Sequence, residues 1–202
     1  MNKIATLLSR ITGSSKKSTE TSKKVDEKFI VNEKDPLEIK FAKHFSVAGG
    51  KFFFCESTDE FKSIISEMFQ SNEWKNPFFS DTSLLDTIND ILPKKSVTAD
   101  NCDCFLTTCE FLIATEGSIM ITAKHMSGKR LSQLPKDFVV IAKISQIVNE
   151  IGDGLRGIKD RYSNNLPSKI TTLKGPNRHL KQTDSKIGSH DPKEIYLVLL
   201  DD

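Results

Sequence analysis

Thr115-Glu116-Gly117-Ser118 places a carboxylate and two hydroxyls around a glycine, a set that can line a ligand cleft. It joins an apolar stretch to the strand expected after it, and ligands of open α/β sheets bind in crevices at strand ends. The plain alternative is a tight turn with polar caps. Gly175-Pro176-Asn177-Arg178 reads as a rigid turn that points an amide and a guanidinium into one place. An Arg fork there suits a carboxylate or phosphate, and the plain alternative is a surface turn with a solvated Arg. Gly188, His190, Pro192 and Glu194 precede the last apolar run. His190 can serve as an acid, a base or an anion donor near neutral pH, although a lone loop histidine usually does none of these.

Two other strings look like chemistry and read better as structure. Gly152-Asp153-Gly154-Leu155-Arg156-Gly157 fits the G-x-G-x-x-G pattern. A dinucleotide loop must follow a strand directly, so that its glycines turn the chain onto a helix N-terminus. Here the preceding strand is expected to end near Ala142, so the glycines predict a weak or broken helix end instead. Cys102, Cys104 and Cys109 match neither iron–sulphur nor zinc spacing, and Cys55 lies in an apolar run. They read as small buried hydrophobes, with no metal site and no cofactor expected in this chain. No G-x-S-x-G, P-loop or H-E-x-x-H string occurs.

The elements that must position these groups are legible from periodicity. Asp35 as N-cap and Pro36 at the first helical position open a helix with Leu37, Phe41 and Phe45 on one face, closed by Gly49–Gly50. Lys51–Glu56 is a buried strand. Ser57 and Glu60 have capping-box spacing ahead of a stripe of Phe61, Ile64, Ile65 and Met68. Phe78–Phe79 is a short strand, and Ser83 to Leu92 a helix ended by Pro93. Cys102 to Ala114 mixes helix and strand signals. Ser118–Ala123 and Phe138–Ala142 are strands, Ser145 to Ile158 a helix with Ile147, Val148, Ile151 and Leu155 on one face, and Lys169–Leu173 and Ile195–Leu200 the last strands. Strands alternating with helices imply an α/β fold with a mostly parallel sheet covered on both faces.

The chain has 202 residues, 37% hydrophobic and 28% charged, with a net charge of +2. That balance suits a globular domain and argues against a dedicated nucleic-acid binder. Residues 1–28 carry seven basic and three acidic side chains, so the +4 arm leaves −2 on the remainder. Ile4, Leu7, Leu8 and Ile11 suggest a short amphipathic helix, and Gly13 to Lys24 a flexible linker. The expected organisation is an arm over 1–28 and one domain over 29–202. Ser9 and Arg10 end the apolar run too early for a secretory signal, and no run is long enough to span a membrane, so a cytoplasmic location is expected.

From about residue 35 onward the order of segments resembles the LUD domain, the family of lactate utilisation protein C. The resemblance rests on FAKHFSVAGGKFFFCES at 41–57, CEFLIATEGSIMIT at 109–122 and GKRLSQLP at 128–135 followed by FVVIAKISQIV, then KGPNR at 174–178 and GSHDPKEIYLVLLDD at 188–202. It implies a sandwich like the NagB/RpiA/CoA-transferase group, around a mostly parallel central sheet. It also implies a part in oxidising L-lactate to pyruvate beside iron–sulphur partner subunits that carry the clusters. Gly117 and Ser118 fit the family's Glu-Thr-Gly-Thr/Ser turn, with Thr115 and Glu116 in reversed order. Gly175, Pro176 and Arg178 fit Gly-Pro-Ser-Arg, with Asn177 for Ser. The Thr-Ala-Asp-Ile-Glu that tends to follow is replaced by a run from His179 to Asp184. His190, Pro192 and Glu194 fit His-Gly-Pro-Lys-Glu, with Asp191 for Gly.

On that resemblance Arg178 holds the lactate carboxylate and His190 or Glu116 handles the hydroxyl proton, with Thr115, Gly117, Ser118, Gly175 and Asn177 lining the site. The alternative is a stand-alone binder or transferase for organic acids, acyl groups or folate-like molecules, with Glu116 or Glu110 as nucleophile or base. A third reading is a non-catalytic assembly protein whose basic arm docks a partner.

Overall fold

The computed structural model describes residues 30–80, 88, 92, 101–176 and 193–201. The expected arm over 1–28, most of the Ser83–Leu92 helix, and Asn177, Arg178 and His190 lie outside the described residues.

The most apolar runs build one five-stranded sheet. β1 (Lys51–Cys55), β2 (Pro77–Phe79), β3 (Cys104–Thr107), β6 (Asp137–Lys143) and β9 (Glu194–Leu200) align in the order β1-β9-β6-β3-β2, every pairing parallel. Both faces are buried, which is why these strands read as unbroken hydrophobic runs. One face packs on α2 (Thr58–Ser71) through Phe61, Ile65, Met68 and Phe69, together with Ile88 and Leu92. Ser57 caps α2 by accepting from the Glu60 amide at 3.2 Å. Glu60 reaches back to the amide of Glu56 instead of Ser57, so only half of the expected box forms.

The other face packs on α1 (Leu37–Val47) and on a second sheet. Phe41 and Phe45 of α1 stack at 5.6 Å and are fully buried. The start of α1 differs from expectation by one position. Pro36 is the N-cap, and the Asp35 carboxylate turns back to the Asn32 amide and to Lys43, each within 2.9 Å. At the other end Gly49 takes φ +87° and leads directly into β1.

The second sheet comprises β4 (Phe111–Ile113), β5 (Ser118–Thr122), β7 (Ile147–Val148) and β8 (Ile170–Leu173) in the order β7-β4-β5-β8, with β4–β5 and β5–β8 antiparallel. The Ser145–Ile158 helix is therefore corrected. Ile147 and Val148 pair with Leu112 and Ile113, and α3 begins only at Ile151 and runs to Tyr162. Leu155, expected on the buried stripe, is 44% exposed.

The three glycines of G-x-G-x-x-G lie inside α3, which is neither broken nor a phosphate loop. Two of them explain how closely α3 lies on the second sheet. A Cβ on Gly154 would sit 3.0 Å from Met120 Cε, and one on Gly157 only 2.4 Å from Phe111 Cζ. The helix–sheet layer of Phe111, Ile113, Met120 and Ile158 depends on that approach. A Cβ on Gly152 would meet nothing within 4 Å. Gly157→Ala is therefore expected to lower unfolding stability by about 1–3 kcal/mol through overpacking. Gly152→Ala is expected to raise it by about 0.5–1 kcal/mol by removing chain entropy. Urea unfolding of the two variants checks both signs.

Cys55, Cys104 and Cys109 are buried, and Cys102 is half-buried. Burial, with the charge of Glu60 nearby, pushes the Cys55 thiol up to about 12, and burial also raises Cys104 and Cys109. A thiolate is the reactive form, so these three thiols are expected to be inert. Iodoacetamide should label Cys102 first, with the other three labelled only on unfolding, as read by peptide mass spectrometry.

Candidate functional site

The hairpin between β4 and β5 is short, and its tip is Ala114 to Gly117. Gly117 has φ +57°, the left-handed region that glycine reaches without steric cost. A Cβ there would lie 2.3 Å from the Phe45 amide nitrogen and 2.4 Å from the His44 carbonyl carbon. The tip thus presses on the backbone of the last turn of α1. His44 reaches the same turn, its Nδ1 donating to the Ala114 carbonyl at 2.7 Å.

Gly175 makes the equivalent contact one helical turn further on. Its Cβ would stand 2.4 Å from both the Ala48 carbonyl oxygen and the Gly50 amide nitrogen. The preceding residue, Lys174, extends its ammonium to within 2.8 Å of Glu116 Oε2. Two motifs 58 residues apart, counted from Gly117 to Gly175, therefore meet over residues 44–50 and are tied by an ion pair. Both side chains of that pair keep solvent access, at 52% for Lys174 and 32% for Glu116, so the pair can open to a ligand.

The remaining expected residues divide by position. Thr115 donates its hydroxyl to the Asn149 carbonyl at 3.0 Å, which fastens the tip to the residue after β7. Ser118 pairs with Ile113 and shares the strand face of Met120, the face that α3 covers. It is fully buried and its Oγ has no hydrogen-bond partner. The hydroxyl therefore lies on the opposite side of the second sheet from α1. Asn177, Arg178 and His190 are outside the described residues. Pro176 and Lys193, which flank their segment, lie beside Gly175 and β9's first residue, Glu194.

Sequence reasoning missed His44 and Lys174. Both lie in quoted segments, FAKHF and KGPNR, yet neither has a partner at a recognisable spacing. The place of the site also departs from the rule that motivated it. Residues 44–50 lead into the start of β1, and Glu194 opens β9, so the site lies at the amino ends of the parallel strands. The cause is the second sheet. β4 leaves the carboxyl end of β3, and its hairpin tip emerges at the opposite edge.

The carboxyl end holds a different polar cluster, around Glu110. That carboxylate is 1% exposed and accepts from Arg161 Nη1 and from the Tyr162 hydroxyl, both at 2.5 Å. The hydrogen bond to Glu110 is the main reason that the Tyr162 hydroxyl titrates above its usual range. His125 Nδ1 lies 4.0 Å away and accepts the Thr122 amide at 3.2 Å. With both oxygens engaged, Glu110 anchors the end of α3. Among the described residues no group of three or more His, Cys, Asp or Glu could hold a metal ion.

The LUD domain model matches residues 39–200 of this chain. No curated protein matches it. The crystal structure of a DUF162 family protein from Deinococcus radiodurans is similar, with a TM-score of 0.59 at 16% identity over 81% of this chain and 96% of that one. At that identity the likeness speaks to the fold. No described helix is long and apolar enough to cross a membrane.

Gly117→Ala is expected to cost about 2–4 kcal/mol, because the left-handed backbone and the overlap with α1 act together. Gly128 has φ +71° with nothing within 4 Å of a built Cβ, so Gly128→Ala should cost only about 1–2 kcal/mol. Comparing the two melting curves isolates the contact with α1 from backbone strain.

Proposed function

The chain belongs to the LUD domain family, and from that premise we propose that it serves the oxidation of L-lactate to pyruvate. In this reading it is one subunit of a system whose iron–sulphur clusters sit on partner proteins. The observation that carries the reading is the Lys174–Glu116 pair, held at 2.8 Å where the two motif segments meet.

A 2-hydroxy acid presents one carboxylate and one hydroxyl on neighbouring carbons. It needs a cation for the first and a proton acceptor for the second. Lys174 and Glu116 offer both side by side. The substrate carboxylate takes the ammonium from Glu116, and the released Glu116 carboxylate faces the hydroxyl. Arg178, four residues beyond Lys174, supplies a second cation, and His190 a second proton acceptor. Oxidation of lactate to pyruvate releases two electrons and two protons, and the electrons pass to the iron–sulphur partners.

Deleting the gene is expected to abolish growth on L-lactate, and the wild-type gene to restore it. Lys174→Met should weaken L-lactate binding by about tenfold or more, the worth of one charge-assisted hydrogen bond. Its melting temperature should change little, because the ion pair is solvent-exposed. Normal growth of the deletion strain without a paralogue sinks the reading. Thermal stabilisation by acyl-CoA and not by L-lactate would move it to the transferase alternative.

A further inference from the structure

We propose that His44 sets the preference of this site for a 2-hydroxy acid over the matching 2-oxo acid, an inference that rests on the lactate reading. A carbonyl oxygen only accepts hydrogen bonds, so the 2.7 Å contact to Ala114 places a proton on His44 Nδ1. In the neutral ring Nε2 is then an acceptor and nothing else. The contact also fixes the ring against the residue that opens the Thr115–Ser118 turn. Gly117 leaves no room between the two, since a Cβ there would stand 2.8 Å from His44 Cβ.

The position is shared with the site. His44 lies half-buried in the last turn of α1, and Ala48, four residues on, meets Gly175. Residues four apart lie on one helix face, so that face of α1 carries His44 beside the Glu116 turn and Ala48 beside the Lys174 strand end. The hydroxyl of lactate is a donor and matches an obligate acceptor. The ketone of pyruvate has only lone pairs and leaves Nε2 without a partner. A site that hydrogen-bonds a substrate hydroxyl disfavours the analogue that lacks it, because the site's own polar group then loses water without gaining a partner.

The test is calorimetric titration of the full chain with L-lactate and with pyruvate, for wild type, His44→Asn and His44→Ala. Asn keeps a side-chain N–H that can reach the Ala114 carbonyl, so His44→Asn retains the anchoring bond and loses Nε2. Wild type is expected to bind L-lactate about tenfold more tightly than pyruvate. His44→Asn should lose that preference, its affinities for L-lactate and pyruvate converging, while its melting temperature stays near wild type. A second readout does not depend on a variant folding. Nitrogen-detected NMR of the His44 ring should show the Nδ1–H form in the free protein and a shift at Nε2 with L-lactate but not with acetate. A preference that survives in His44→Asn, or L-lactate binding that leaves Nε2 unmoved, overturns the role of His44 and leaves the lactate reading standing. Absence of any L-lactate binding overturns both. Loss of growth on lactate is read separately, and normal growth beside an Nε2 shift would sink the lactate reading alone.

Discussion

The contact between a backbone with no side chain and the last turn of a helix decides much of this structure. At Gly117 the hairpin tip touches α1 at a distance that no Cβ permits, and Gly175 does the same one turn later. α1 is thereby clamped between the second sheet and the parallel sheet, with Phe41 and Phe45 fully buried in the core between them. Everything polar near the tip follows from the clamp. His44 bonds Ala114 because the tip is there, and Lys174 meets Glu116 because both strands end over the same turn. The ion pair itself is exposed and contributes little to folding. The glycines position it, and water reaches both of its members.

The opposite edge is built on another principle. There the second sheet and α3 are held by a buried charge, and the Glu110 carboxylate is satisfied by Arg161 and Tyr162 from the end of α3. Glu110 is closed off from water while the Arg161 side chain is half exposed, and the Tyr162 hydroxyl holds the carboxylate from a second side. The two ends of the hairpin thus differ in kind. One is a saturated electrostatic anchor, and the other is a steric seat with an ion pair that water reaches. At the second, both members of the ion pair keep solvent access, whereas at the first Arg161 is half exposed and Glu110 is closed off.

Most of this frame was legible in the sequence because burial on both faces leaves an unmistakable mark. Lys51–Cys55, Phe138–Ala142 and Ile195–Leu200 are apolar at nearly every position, and all three are parallel-sheet strands. Ile147 and Val148 depart from the expected helix for a physical reason. Two β-branched residues ahead of a helix fit its period as well as they fit a strand, and only pairing with Leu112 and Ile113 separates the two. The glycine string shows the same limit. Gly154 and Gly157 are spaced for a dinucleotide loop and equally for the close packing of a helix on Phe111 and Met120. The difference lies in the partner, which spacing does not encode. Of the expected site residues, Glu116, Gly117 and Gly175 do come together. Ser118 faces α3, because alternation along β5 puts successive side chains on opposite sides. His44 left no signal, since a single histidine on an amphipathic helix has no partner in sequence.

The electrostatics of α1 then limit how the site can hold an anion. Helix N-termini bind carboxylates and phosphates through free amides and a favourable dipole, but the end of α1 at the site is its C-terminus, where the dipole is negative. Its last carbonyls are already used, with His44 O, Phe45 O and Ser46 O accepting from Ala48, Gly50 and Gly49. The amides of Ala48, Gly49 and Gly50 are spent in those bonds, so they are not free to donate to a carboxylate. A cationic or neutral imidazole is well placed on that turn, whereas an acid must be held entirely by side-chain cations. Lys174 is the cation that the described residues bring there, and it is already spoken for by Glu116. Among the described residues, an organic acid held at this edge would share the Lys174 ammonium with the Glu116 carboxylate. On the proposed reading, that sharing would release Glu116 as the acid binds and so couple occupancy of the site to a free carboxylate.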